Sequence, residues 1–280
     1  MLPPIHATGG ARSRPYARHP ASVSQAAYGR GERAHIEVNK PGGFEDIVDI
    51  RTGKPHETLE RVGLLRSLDA KDRAGFERRC QWRHAHTKEW LLEQNDVGTD
   101  IYFLTSGVVR VLITPSPDRE VILADIEAGG YFGEMAAIDG QPRSAGILAV
   151  TDATIARMPA PVFRDLIHHH PDVAEQLLQQ LVARIRMLDQ RVHEFSSMHV
   201  KHRIYSELLR RSRPDPTNER QAIVSPPPVH SDIAARVSTR REMVARELKA
   251  LERKGLMLKR RGAFVLTNVP ELMQMLHAEK

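Results

Sequence analysis

The stretch 131–145, Tyr-Phe-Gly-Glu-Met-Ala-Ala-Ile-Asp-Gly-Gln-Pro-Arg-Ser-Ala, constrains this chain more than any other. Gly133 lets the backbone approach a ligand closely, with no Cβ in the way. Residues 134–138 suit one short helical turn, whose first N–H groups lack intrahelical partners and favour an anion. Arg143 follows a Gly140-Gln141-Pro142 turn that folds the chain back on that helix. Its planar guanidinium matches two phosphate oxygens and stays charged. Glu134 would repel a phosphate, so a sugar hydroxyl is its more natural partner, and Ser144 is a short donor beside Arg143. Each of these residues alone is as easily a solvated surface side chain. Their order describes a pocket for one small phosphate ester.

The surrounding text is strand-like. Leu64, Leu65, Leu68 and Phe76 suit short helices packed on a β-domain. Trp90-Leu91-Leu92, Ile101-Tyr102-Phe103-Leu104, Val108 to Ile113 and Val121 to Ala124 read as strands separated by Gly-bearing turns. Gly146 to Val150 and Thr154 to Met158 add two more. Short strands at this spacing predict a small antiparallel barrel or jelly roll. A helix begun near Pro161 ends at His168, His169 and His170. Neighbours on a helix point about 100° apart, so the three cannot share one metal, and a solvated helix end is the simpler account.

A long helical pattern follows, about 172–211. Leu177, Leu181, Ile185, Leu188, Val192 and Phe195 recur at three- and four-residue steps, a narrow seam of the kind a two-helix coiled coil needs. An ordinary core helix packed on its own barrel is the competing reading. The pattern loosens at Ser196-Ser197, where a hinge separates a second helix starting at Val200. Pro214, Pro216 and Pro226 to Pro228 are breakers and mark a domain boundary. Beyond it, a helix from Ser231 to Val237, the turn Ser238-Thr239, a helix from Arg240 to Lys254 stopped by Gly255, and a hairpin turning at Arg260-Arg261-Gly262 make a winged helix-turn-helix. Between Val229 and Gly262 ten Lys/Arg face four acids, an excess equal to the chain's whole formal charge of +6. That is the electrostatic footprint of a polyanion binder.

Two motifs carry a family resemblance. The pattern Phe132-Gly133-Glu134 … Pro142-Arg143-Ser144-Ala145 resembles the phosphate-binding cassette of cyclic-nucleotide-binding domains. The phrase from Asp100 to Val111 resembles their second signature, with Lys88 and Asn95 standing where that family usually has Gly. The string from Ser238 to Leu248 resembles the recognition helix of the catabolite activator (CRP/FNR) family of bacterial regulators, and its R-E-x-x-x-R triad falls on Arg241, Glu242 and Arg246. The resemblance spans about residues 57–268. It implies an α+β protein with an N-terminal cyclic-nucleotide-binding β-jelly roll, a long dimerisation helix and a C-terminal winged helix-turn-helix. By the same resemblance Glu134 holds the ribose 2′-hydroxyl, Arg143 pairs with the cyclic phosphate and Ser144 adds a phosphate contact; Gly133, Met135 and Arg184 complete that end of the site. The positions that touch the base in cAMP-responsive members hold Leu188 and Asp189. Asp189 can accept from the adenine amino group or from guanine N1–H and N2–H, while Ser144 is the cassette residue of cAMP binders. cAMP is favoured, with cGMP as the alternative.

In a helix-turn-helix the second helix enters the major groove with its N-terminal residues on base edges, a geometry the resemblance carries over from the activator. Here those residues are Arg240, Arg241, Glu242 and Arg246, with Ser231 and Arg261 as further contacts. Arg matches guanine and a carboxylate accepts from cytosine. Thr239 and Glu242 also have capping-box spacing, and Glu242 with Arg246 that of a helix ion pair, so a structural role competes.

The expected organisation is a basic tail over 1–55, the barrel over 56–171, the dimerisation helix and hinge over 172–211, a linker over 212–228, the winged domain over 229–270 and a tail over 271–280. No apolar run approaches the roughly 20 residues that span a bilayer. Cys80 is the only cysteine, which precludes an intrachain disulfide and fits a reducing compartment. The function expected is a homodimeric, cyclic-nucleotide-responsive transcription regulator in a bacterial cytoplasm. Its partners are palindromic double-stranded DNA and RNA polymerase; no membrane, metal or catalytic residue is expected. The alternatives are the same regulator without a nucleotide, or a regulatory module of an enzyme or channel.

Overall fold

The computed structural model describes residues 57–116 and 119–277, so the expected tail at 1–55 lies outside the described residues. Two single turns of 3-10 helix, Leu59–Arg61 and Gly63–Leu65, lead into α1, Ala70–Glu77. The Asp69 carboxylate caps α1 by accepting from the Asp72 N–H at 2.7 Å. Then come β1 Gln81–Ala85, β2 Trp90–Leu92, β3 Ile101–Ser106, β4 Val108–Ser116, β5 Arg119–Glu127 and β6 Tyr131–Phe132. A short helix, α2 Glu134–Asp139, precedes β7 Gly146–Ala149 and β8 Ala153–Met158. The eight strands form two four-stranded sheets, ordered β1-β8-β3-β6 and β2-β7-β4-β5, with every pairing antiparallel. The jelly-roll expectation holds. The reading of the chain missed β1 and β6, the first broken by charged residues and the second only two residues long.

Strand β3 shows why the barrel closes. Side chains alternate across a strand, and here both faces are buried: Ile101 and Phe103 enter a core beneath the helices, Tyr102 and Leu104 the barrel interior. Lys88 and Asn95 both adopt left-handed backbone, with φ of 70° and 69°. The two turns therefore keep the shape glycine would give them, at a cost of about 1–2 kcal/mol at Lys88 and less at Asn95, whose side chain tolerates this region. The Lys88 N–H repays part of this by donating to the Ala149 carbonyl at 2.8 Å.

The helices α3 Ala160–His169, α4 Pro171–Ser197 and α5 Val200–Arg211 follow. Met198 and His199 are extended, so the hinge falls one residue beyond the Ser196-Ser197 pair. The expected seam on α4 is corrected in its first half. Leu177 is buried and Leu181 half-buried against the barrel's own core, because this part of the helix lies on its own domain. The exposed stripe is Leu178, Val182, Ile185, Leu188, Val192 and Phe195.

The C-terminal half contains β9 Arg213–Asp215, β10 Asn218–Val224, α6 His230–Val237, α7 Arg241–Arg253, β11 Met257–Arg260, β12 Ala263–Leu266 and α8 Val269–His277. Its sheet is ordered β11-β12-β10-β9. Much of the segment expected to be a linker is thus a hairpin that extends the wing, because Ala222 and Val224 bury their side chains and pair with Leu266 and Phe264. The segment expected to be a tail is largely α8, anchored by buried Leu272. Ile204, Leu208, Val244, Leu248 and Leu251 make the core of this half.

Candidate functional site

Strand β6 delivers the chain to Gly133, which is left-handed with φ of 82°. A Cβ there would lie 2.7 Å from Arg143 Nη1 and 2.9 Å from the Asp100 carbonyl, so only glycine fits. Arg143 returns to the same place after α2. Its backbone is fixed by the turn at Asn95: the Asn95 N–H donates to the Arg143 carbonyl and the Arg143 N–H to the Asp96 carbonyl, both at 2.8 Å. The guanidinium donates to the Gly133 carbonyl at 3.0 Å and the Asp100 carbonyl at 2.7 Å, and lies 5.5 Å from the Tyr102 ring centre. Its Nε is buried without a partner. Burial pulls its pKa below the ordinary guanidinium value, an effect that Tyr102 and Asp100 oppose.

Glu134 is also buried, and its carboxylate accepts from Arg184, which reaches in from α4. Arg143, Glu134, Arg184 and Ser144 are the polar end of one cleft. A mostly apolar cleft with a few convergent polar groups suits a small organic ligand. The other walls are apolar: Val111, Leu123 and Ile126 from β4 and β5, Met187 and Leu188 from α4. Gly133 and Met135 line the cleft too. Asp189 does not line it; it is exposed on α4, on the face of Ile185 and Val192.

Tyr131 belongs to this site and escaped the reading of the chain. Its hydroxyl is buried without a partner, and its pKa is pushed up to about 12 by burial and then by the Glu134 charge, against the pull of Arg184. Nothing in the sequence separates it from Phe132 beside it, since both are aromatic and both are buried. His169 pairs with Asp165 at 3.1 Å, while His170 packs edge-on against Phe76, so the His triplet diverges.

On the second domain, α6 ends at Ser238, left-handed with φ of 53°, and α7 begins at Arg241. Arg240, Glu242 and Arg246 line one surface groove with Ser238 and Thr239. Arg241 is exposed beside them, Ser231 in the first turn of α6 and Arg261 at the wing tip. Neither structural competitor for Glu242 is present: the cap of α7 is Arg240 with no side-chain bond, and Arg246 contacts Met243 Sδ. Arg236, one of the ten basic residues of this segment, does not belong to its exposed basic surface. It is 5% exposed and donates to Asp125 of β5.

That contact is part of an ionic junction. Arg110 of β4 pairs with Asp125 and with Asp232 of α6, both at 2.8 Å. Arg210 of α5 pairs with Glu207 at 2.6 Å and with Glu194 of α4 at 2.7 Å. Arg119, at the start of β5, donates to the Ser238 hydroxyl in the helix-turn-helix turn. Strand β5 thus lines the cleft with Leu123 and Ile126 and holds α6 with Asp125 between them.

Residues 82–170 match the cyclic nucleotide-binding domain family, and residues 202–275 match the Crp-like helix-turn-helix domain family. The chain is 28% identical over 178 residues to the cAMP-activated global transcriptional regulator CRP of Salmonella typhimurium, covering 63% of this chain and 85% of that protein. It is 25% identical over 203 residues to the CRP-like cAMP-activated global transcriptional regulator of Mycobacterium tuberculosis, covering 71% and 89%. A CooA variant from Carboxydothermus hydrogenoformans superposes with a TM-score of 0.67 at 19% identity, over 79% of this chain and 99% of that one. The c-di-GMP responsive regulator CLP of Xanthomonas campestris does so with a TM-score of 0.60 at 23% identity, over 72% and 100%. At such identities the last two speak for the fold alone.

Proposed function

This chain belongs to the CRP/FNR family of DNA-binding transcription regulators, and from that premise we propose a homodimer switched by a cyclic mononucleotide, with cAMP favoured over cGMP. The observation that carries the proposal is the double duty of β5 and α4. Leu123 and Ile126 of β5 line the cleft, and Asp125 between them pairs with α6. Arg184 and Leu188 of α4 line the same cleft, and Glu194 further along pairs with Arg210. A ligand that moves either element moves the attachment of the helix-turn-helix.

The cyclic phosphate accepts from Arg143, whose Nε lacks a partner, and Ser144 adds a donor. Glu134 takes the ribose hydroxyl and exchanges part of its bond to Arg184, which reports the ligand to α4. The base lies along Met187 and Leu188. Pairing of two exposed α4 stripes supports the dimer, because an apolar row at three- and four-residue steps is a coiled-coil seam. In that dimer Asp189, on the face of Ile185 and Val192, meets the ligand across the seam and accepts a hydrogen bond from the adenine amino group. Two-fold symmetry sets half-site centres about 34–36 Å apart on palindromic DNA, with half-sites resembling TGTGA. Arg240, Arg241, Glu242 and Arg246 read bases; Ser231 and Arg261 are further contacts. The protein acts in a bacterial cytoplasm with RNA polymerase as its protein partner, and no catalytic residue is assigned to it.

A second reading keeps DNA binding without a mononucleotide. It is favoured by the carbonyl contacts that already occupy Arg143 and by the Arg184 pair that already occupies Glu134. Calorimetry with cAMP and cGMP, with and without a labelled palindrome, separates the two. The first reading expects cAMP to bind more tightly than cGMP and to raise DNA affinity, with the duplex raising cAMP affinity by the same factor. Arg143→Ala should lose nucleotide binding and keep salt-sensitive DNA binding. DNA binding that ignores every cyclic mononucleotide selects the second reading; a monomer indifferent to duplex DNA rejects both.

A further inference from the structure

Where α4, α5 and α6 meet, away from the nucleotide-type cleft, a small cavity is walled by Arg191, Glu194, Phe195, Arg203, Arg210 and Arg236. Four guanidinium groups thus surround one carboxylate. The acids within reach are already taken. Glu194 accepts twice from Arg210, at 2.7 and 2.8 Å. Glu207 accepts from Arg210 at 2.6 Å and from Arg191 at 3.4 Å. It lies 3.7 Å from Arg236 Nε, past hydrogen-bond reach. Arg203 has no ion pair among the described residues; its guanidinium lies 5.0 Å from the Phe195 ring centre. Burial alone lowers its pKa.

The hydrogen-bond inventory points to the same place. Five buried side-chain N or O atoms among the described residues have no partner, and three of them are the Nε atoms of Arg191, Arg203 and Arg236. Arg236 is 5% exposed, so its N–H cannot turn to bulk water. Buried donors are seldom left unpaired, and several around one cavity mark an occupant. A single water has two acceptor lone pairs, too few for three donors, and brings no charge against Arg203. A spherical anion has no such limit on donors and supplies that charge. The cavity has room for one water-sized particle, which admits a monatomic anion and excludes sulfate or a nucleotide phosphate.

We propose that this three-helix junction binds one halide ion, chloride under cellular conditions, which fastens the first helix of the helix-turn-helix to α4 and α5. The site is separate from the nucleotide-type cleft and does not rest on the ligand assigned there. Full-length protein crystallised in sodium bromide is expected to show an anomalous peak among Arg191, Arg203 and Arg236. Melts in sodium chloride and sodium gluconate at equal ionic strength are expected to differ by about 3–5 °C at chloride ten times its dissociation constant. Arg203→Gln should abolish that difference. Coincident chloride and gluconate melts of the wild type, or ordered water without anomalous signal in the cavity, overturn the proposal. The bromide map requires no variant, so a poorly folding Arg203→Gln leaves the decision intact.

Discussion

The barrel and the winged domain each close over an apolar core, Phe103, Ile155 and Phe163 in one and Ile204, Val244 and Leu248 in the other. The surface between them is built from Arg110, Asp125, Asp232 and Arg236. The chemistry suits the difference in task. Apolar burial is additive and without direction, so a core holds one shape. Ion pairs are directional and nearly balanced by desolvation, so a joint made of them opens at small net cost. A molecule whose halves must keep their folds while changing their mutual attachment is served by this division.

The comparison breaks most readily in the core. Phe103→Ala should cost about 3–5 kcal/mol of stability, read as a lower denaturation midpoint, and should also end ligand binding. Asp125→Asn should cost less, about 1–3 kcal/mol, since it strips Arg110 and Arg236 of an acid while sparing both cores. Its signature is a second unfolding transition for a released winged domain and a change in ligand-free DNA affinity. A single unshifted transition would mean the ionic joint contributes nothing. Glu242→Ala should leave the melt unchanged and relax base preference, worth about 1–3 kcal/mol of discrimination, with non-specific affinity equal or raised. An unchanged consensus after binding-site selection would remove Glu242 from the base-reading set.

The smallest effect sharpens the picture inside the cleft. Tyr131→Phe removes a hydroxyl that has no partner, so the free protein should be unchanged or slightly more stable. Cyclic nucleotide should nonetheless bind a few-fold more weakly, because the hydroxyl sits by the Glu134–Arg184 pair, where the ribose is proposed to bind. Equal affinities for wild type and variant would make Tyr131 a filler of the barrel wall only.

Much of this was legible because it is local. The order Phe132-Gly133-Glu134 … Arg143-Ser144 describes a turn, a helix start and a returning guanidinium within one short stretch, and short apolar runs between Gly-bearing turns marked β3, β4 and β8. The Thr239–Glu242 cap was a fair local expectation that lost, since α7 starts one residue later than a capping box needs. The proline-marked linker failed for the opposite reason. Pro214 lies in the short strand β9 beside β10, where pairing with β12 decides the conformation.

The residues by themselves determined two domains, their order, the cassette and the recognition helix, because hydrophobic period and turn chemistry act over a few positions. Only the folded chain decided which stripe of α4 faces its own barrel, since Leu177 and Leu178 differ by one step of about 100° on a helix rich in both directions. It alone decided that Arg236 serves an ion pair 111 residues away and not DNA. It alone brought Arg191, Arg203 and Arg236, whose Nε atoms are buried without partners, around one cavity. Contacts between distant segments exist only once the cores have brought the elements together, and no local pattern encodes them.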